Sequence, residues 1–329
     1  MQRFTRFAFA TVACLSGLLA PVLQVAAQNA NFTQPVAELE RLLRAEPLVI
    51  VQAEISRPKA TGDITLKADV SFGGAPPLRV KLRKAEPGAE TFNNVPRYDL
   101  AAYELQKLFL DPEDYVVPPT VLRMVPLAEF AKHSSNVSAT FPGAPQVLAV
   151  VQYWLNDVKT IADVYDAEMF ATDPVYARHI GQMNLFTYLI EHRDSNAGNF
   201  LIGRQKNGAR VFSIDNGVAF ASADSDRGEL WKNLRVKQFP ADAIERLRKV
   251  TPQVLTARLG VLAQWQLEKE HYVPVTPGAN LGGVSGVRRK GDVVQMGLTR
   301  SEIAAVQRQL KNLLVQVDRG RITLAPVSR

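Results

Sequence analysis

Three extended runs, Leu48–Ser56, Ile64–Phe72 and Leu78–Ala85, are separated by Arg57-Pro58 with a Thr61-Gly62-Asp63 turn and by Gly73-Gly74. They predict a three-stranded antiparallel sheet. Before them, residues 28–47 carry Val36, Leu39, Leu42 and Leu43 at helical spacing and predict a short leader helix. After a loop rich in Gly, Asn and Pro, the segment Arg97–Leu110 places Leu100, Tyr103, Leu105, Leu108 and Phe109 on one helical face. Pro118-Pro119 ends it, Val121–Val125 and Val147–Tyr153 read as two more strands, and Asn156–Asp157 reads as a hinge.

Helical patterns dominate from there. Pro174–Glu191 turns Ile180, Leu185, Tyr188 and Leu189 to a core, and Glu229–Lys237, Ala241–Val250, Thr256–Lys269 and Thr299–Val317 follow. The last has Thr299 as its cap and Glu302 at the capping-box position. Gly278–Lys290 is a Gly-rich basic stretch, expected as a surface loop without the spacing of a nucleophile elbow. The order predicts an α+β protein of two lobes, with a small β-rich N-lobe over residues 28–155 and a helical C-lobe over residues 156–329.

Chemistry concentrates between His192 and Gly217. The run His192-Arg193-Asp194-Ser195-Asn196-Ala197-Gly198-Asn199 is followed by an expected strand, Phe200–Gly203. A polar turn, Gln205–Ala209, and a second strand, Arg210–Ile214, lead to Asp215. Asn207-Gly208 is a hairpin turn signal. The spacing of Asp194 to Asn199 fits the H-R-D-x-x-x-x-N pattern. Phosphoryl transfer needs one Asp to orient a hydroxyl, and an Asn with a second Asp to hold Mg²⁺ against nucleotide phosphates. An EF-hand reading fails, because Asn199 and Gln205 stand where Gly and Glu are required.

Composition narrows the setting. Arg3 and Arg6 precede an apolar stretch from Phe7 to Val25, with Val25-Ala26-Ala27 before Gln28, so residues 1–27 are expected to be a cleaved signal peptide. The single cysteine, Cys14, lies in that leader. Thiol nucleophiles, disulfides and Cys-based zinc sites are therefore excluded from the mature chain, and a bacterial periplasmic or secreted location is expected. The four histidines form no His-x-x-x-His pair. A formal charge of +7 without a basic block gives no support for nucleic acid as a partner.

The order of elements, with Asp194-Ser195-Asn196-Ala197-Gly198-Asn199 and Ile214-Asp215-Asn216-Gly217, resembles the protein-kinase-like fold. It is most similar to the atypical branch of type II phosphatidylinositol 4-kinases and secreted kinases of the Golgi casein-kinase kind. The resemblance covers roughly Leu48 to Phe220. It implies a nucleotide-binding lysine on the third strand, paired to a helix carboxylate. Lys81 in Val80-Lys81-Leu82 and Glu104 fit those positions, with Lys84 as the alternative lysine. Ser195 stands where this branch often has Arg, and Ser56–Asp63, which should cover the phosphates, contains Gly62 but no G-x-G-x-x-G.

The expectation is an exported ATP-dependent phosphotransferase acting on a hydroxyl of a protein, lipid or carbohydrate. Asp194 would be base or orienting group, Asn199 and Asp215 the Mg²⁺ or Mn²⁺ ligands, and Lys81 with Glu104 the phosphate clamp. The periplasm holds little ATP, so onward secretion or another phosphate donor belongs to this reading. Alternatives are AMP transfer on the same fold, a pseudokinase-like binding module, and a metal-dependent hydrolase using the same carboxylates. His192 is expected to support the loop rather than act as a base, and Arg193 to tether a neighbouring carboxylate.

Overall fold

The computed structural model describes residues 31–56, 64–92, 94–135, 137–220, 222, 228 and 230–326. The expected signal peptide and residues 57–63 of the expected phosphate-covering segment lie outside these. The chain opens with α1 (Val36–Arg44), whose buried Val36, Leu39, Leu42 and Leu43 are those the helical spacing singles out. Next come β1 (Leu48–Ile55), β2 (Thr65–Phe72), β3 (Leu78–Lys84), α2 (Pro96–Gln106), β4 (Thr120–Pro126), α3 (Leu127–Ala131) and β5 (Gln146–Tyr153). The strands form one antiparallel sheet in the order β1-β2-β3-β5-β4.

The edge strand β4 and its neighbour β5 are apolar on both faces because both faces are covered. Val121, Val125, Val147, Ala149 and Val151 point to one side, where Leu39, Leu43 and Phe130 of α1 and α3 pack. Leu122, Met124, Leu148 and Val150 point to the other, against Leu100 of α2 and a second sheet. Alternation of successive side chains makes this two-sided burial possible.

A short connection then leads through β6 (Val158–Lys159), α4 (Ala167–Thr172), α5 (Pro174–Leu189), β7 (Phe200–Gly203), β8 (Val211–Ser213), β9 (Gln238–Pro240), α6 (Ala241–Arg248) and α7 (Pro252–Leu259). The second sheet, in the order β11-β10-β13-β12, comprises β10 (Ala263–Glu268), β11 (His271–Pro274), β12 (Val287–Lys290) and β13 (Val293–Met296). Finally α8 (Arg300–Asp318) carries the expected capping box between Thr299 and Glu302, and β14 (Thr323–Ala325) pairs in parallel with β9. Gly181 in α5 lets that pair approach, since a Cβ there would sit 3.1 Å from Pro240 and 3.3 Å from the Gln238 carbonyl.

Two expectations for the second half are corrected. Thr256–Lys269 is not one helix: α7 stops at Leu259, and Trp265 of β10 is buried opposite Val294 of β13. Within 229–237 the described helical turn is only Leu230–Lys232. The Gly-rich stretch 278–290 ends in β12 rather than remaining loop throughout. Among the described residues, no helix is long and apolar enough to cross a membrane.

Candidate nucleotide and metal site

α5 sets the position of the loop that follows it. Asp173 caps its first turn by accepting from the Val175 and Tyr176 amides at 3.0 and 2.9 Å. The same carboxylate accepts from Gly208 N at 2.6 Å, so one residue ties the helix start to the tip of the β7–β8 hairpin. Gly208 has φ 65, as the Asn-Gly turn requires. At the other end Glu191 takes φ 49, and the chain reverses into His192-Arg193-Asp194.

The loop is held by its own polar groups. Asn199 donates through Nδ2 to the Asp194 carbonyl at 2.7 Å, leaving its amide oxygen as the ligand-capable atom. Asn196 donates to Asp194 Oδ1 at 2.8 Å, and Ser195 Oγ donates to the His192 carbonyl at 2.9 Å. Arg193 reaches Glu191 at 2.9 Å and the Ser222 carbonyl at 2.7 Å, a tether of the expected kind.

His192 is fully buried against Phe200, with ring centroids 5.5 Å apart. Among the described residues, neither of its ring nitrogens has a hydrogen-bond partner. Burial pushes its pKa down to about 4, against the pull of Asp194 and Asp215. A neutral packing residue fits this setting, as the sequence suggests.

Asp215 ends the hairpin in the left-handed region, with φ 57. Asp tolerates that conformation better than most residues. From the opposite sheet, β3 turns Lys81 and Arg83 toward it. Lys81 Nζ donates to Asp215 Oδ1, and Arg83 reaches the same oxygen at 3.3 Å. Arg83 also donates to Asp99 in the first turn of α2. Asp99 Oδ1 accepts from the Asn216 amide at 3.1 Å. Burial raises the Asp99 pKa, while Arg83, Lys81 and the Asn216 amide oppose that rise.

Lys81, Arg83, Asp194, Asn199 and Asp215 all line one cleft of about 830 Å³ between the first sheet and the helical half. Its far wall is the connection after β5, with Trp154, Leu155 and Asn156, and its floor includes Leu201 and Ile214. Asn31 holds that wall through the Asn156 carbonyl at 2.9 Å. Gln152 stands beside Lys81 on the neighbouring strand. Its orientation is fixed by a donor chain: Thr120 Oγ1 donates to the Pro118 carbonyl, so it accepts from Gln152 Nε2 at 2.9 Å.

Of the residues expected here, Lys81, Asp194, Asn199 and Asp215 come together. Glu104 and Lys84 do not. Glu104 ion-pairs with Lys107 at 2.8 Å and Arg258 at 3.0 Å, and the expected Lys81–Glu104 pair is absent. Lys84 shares a face of β3 with Val80 and Leu82 and pairs with Glu86 at 3.1 Å. Asp99 and Arg83 are the residues that sequence reasoning missed. Strand alternation already places Arg83, and not Lys84, on the face of Lys81.

No cluster of three or more His, Cys, Asp or Glu side chains suited to a metal ion occurs among the described residues. The donor set still fits a hard divalent cation. Mg²⁺ is held by one or two carboxylates with substrate phosphates completing the shell, and the Asp215 side chain is 41% exposed to the cleft.

No protein-family model matches the chain, and no curated protein matches it in sequence. Solved structures do match in fold, among them the Golgi casein kinase. It is 13% identical, with a TM-score of 0.50 over 86% of this chain and 74% of that one. At that identity the likeness speaks for the fold alone. The protein has a mixed α+β, kinase-like fold, with an antiparallel sheet in its N-terminal region and a helical C-terminal part.

Proposed function

We propose that the cleft binds a nucleotide with a divalent cation and transfers its terminal phosphoryl group to a hydroxyl of a protein, lipid or carbohydrate. The observation that carries this reading is the convergence of Lys81, Asp194, Asn199 and Asp215 on one cleft from three separate segments: β3, the loop after α5 and the end of the β7–β8 hairpin.

In this reading Lys81 moves from Asp215 to the nucleotide phosphates. Asp215 and the Asn199 amide oxygen would hold the cation, whose chemistry is to neutralise phosphate oxygens. Asp194 orients the acceptor hydroxyl and accepts its proton, and the Asn196 and Asn199 amides keep the loop in shape for that step. The apolar Leu201 and Ile214 below the connection suit a base. The expectation of export remains part of the proposal, with ATP or another nucleotide as donor.

Asp194→Asn tests the chemistry. The substitution is nearly isosteric, so nucleotide affinity should change by less than about tenfold. Turnover should fall by about 10²–10⁴-fold, because the charge that draws the proton is gone. Phosphate or AMP transfer by the variant equal to that of the parent would remove Asp194 from this role. Tight nucleotide binding by a parent that transfers nothing to any acceptor, or to itself, would favour the binding-module alternative.

A further inference from the structure

The geometry points to Arg83 as a positioning residue that couples α2 to the metal-ligating turn, an inference that rests on the phosphotransferase reading. Arg83, Asp99 and the Asp215-Asn216 turn form a closed ring. One guanidinium nitrogen binds Asp99 and another reaches Asp215 Oδ1 at 3.3 Å. Asp99 closes the ring by accepting from the Asn216 amide at 3.1 Å. The Asn216 side chain is fully buried and accepts from Ser213 Oγ at 2.9 Å, so the turn is gripped from both sides.

Three features separate this ring from an ordinary structural ion pair. The side chains of Arg83 and Asp99 are only 4% and 0% exposed. Removing such a pair from water costs several kcal/mol per ion unless its hydrogen bonds are well met. It holds Asp215 in a left-handed conformation that few residues adopt readily. It also needs a planar fork able to address two carboxylates, which an ammonium group on a flexible stem does not provide. Lys81 and Arg83 thus divide the work. Lys81, whose partner is the half-exposed Asp215, is placed to leave for a phosphate, whereas Arg83 stays on Asp99 and keeps Asp215 aimed.

The test is Arg83→Lys, with Asp99→Asn as a second variant that breaks the same ring from α2. Thermal stability is followed against ATP in EDTA, and against ATP with increasing Mg²⁺. Parent and variants should respond alike to ATP in EDTA. The Mg²⁺ concentration for half-maximal response should rise by about 10–100-fold in each variant, the usual effect of losing a partner that orients a ligand. An unchanged Mg²⁺ midpoint overturns the inference. So does an equal weakening with and without Mg²⁺, or failure of both variants to fold, since each assigns the ring a merely structural role. A parent whose response to ATP is indifferent to Mg²⁺ overturns the nucleotide-and-metal reading itself, and the inference with it.

Discussion

Lys81 and Asp215, 134 positions apart in the chain, form an ion pair across the cleft, joining the first sheet to the end of the β7–β8 hairpin. The pair is asymmetric, with the lysine side chain 9% exposed and the carboxylate 41%. A buried ammonium facing a reachable carboxylate suits a cation that changes partner when phosphate arrives, because both groups keep a counter-charge before and after. Arg83, at 3.3 Å from the same oxygen, would keep Asp215 faced by a cation once Lys81 moved, as proposed, to a phosphate.

Lys81→Met should therefore cost little stability, within about 1 kcal/mol, since the exposed side of the pair is well solvated and Arg83 remains. It should cost nucleotide affinity heavily. A charge-assisted hydrogen bond contributes about 1.5–3 kcal/mol, so Kd should rise by roughly ten- to a hundredfold. Isothermal titration with ATP and Mg²⁺ reads this directly, and an unchanged Kd would take Lys81 out of the phosphate clamp.

Glu104 provides the contrast. Its partners are Lys107 and Arg258, and none of the three lines the cleft. Glu104→Gln should leave nucleotide affinity unchanged, and should lower stability by about 1–3 kcal/mol because it discharges a largely buried ion pair. A loss of affinity comparable to that of Lys81→Met would restore Glu104 to the site.

The difference between Glu104 and Asp99 shows what the sequence carries and what it leaves to packing. Features set within one segment were legible. The Thr299–Glu302 capping box, the Asn207-Gly208 turn and the spacing of Asp194 to Asn199 all depend on neighbours a few residues away. The rotation of α2 about its axis was not, because it depends on how Tyr98, Ala101 and Ala102 pack against the helical core while Leu100 packs on the second sheet. That rotation sends Asp99 to Arg83 and Glu104 to Arg258. The strand β10 was missed for a different reason. Its Ala-Gln-Trp-Gln-Leu-Glu run alternates apolar and polar positions as a strand does. Its hairpin partner β11, however, follows a turn at Lys269-Glu270, both at positive φ without glycine or asparagine, so no turn signal marks the hairpin.

Acid sensitivity follows from the buried histidines. His192, with its pKa near 4, stays neutral in the folded protein at pH values where the unfolded chain is protonated. Burial and the neighbouring Arg210 and Arg178 push His179 well down as well. Stability should therefore fall as pH drops from about 6.5 toward 4, and the contribution of His192 should level off below that. A depression of this size corresponds to about 3 kcal/mol for His192. Denaturant midpoints of the parent and of His192→Phe, measured between pH 7 and 4, should show the parent losing stability relative to the variant as pH falls. A parallel dependence in both proteins would remove His192 as its source.

In the proposed site Asp215 holds a divalent cation together with nucleotide phosphates. The direct measurement is the thermal midpoint of the parent and of Asp215→Ala with Mg²⁺ or Mn²⁺ alone, ATP alone, and both. Each ligand supplies coordination the other needs, so the parent should gain more from the pair than from the sum of the separate additions. Asp215→Ala should show no such excess. An equal excess in the variant, or a parent that responds to neither ligand nor to their combination, would contradict the account.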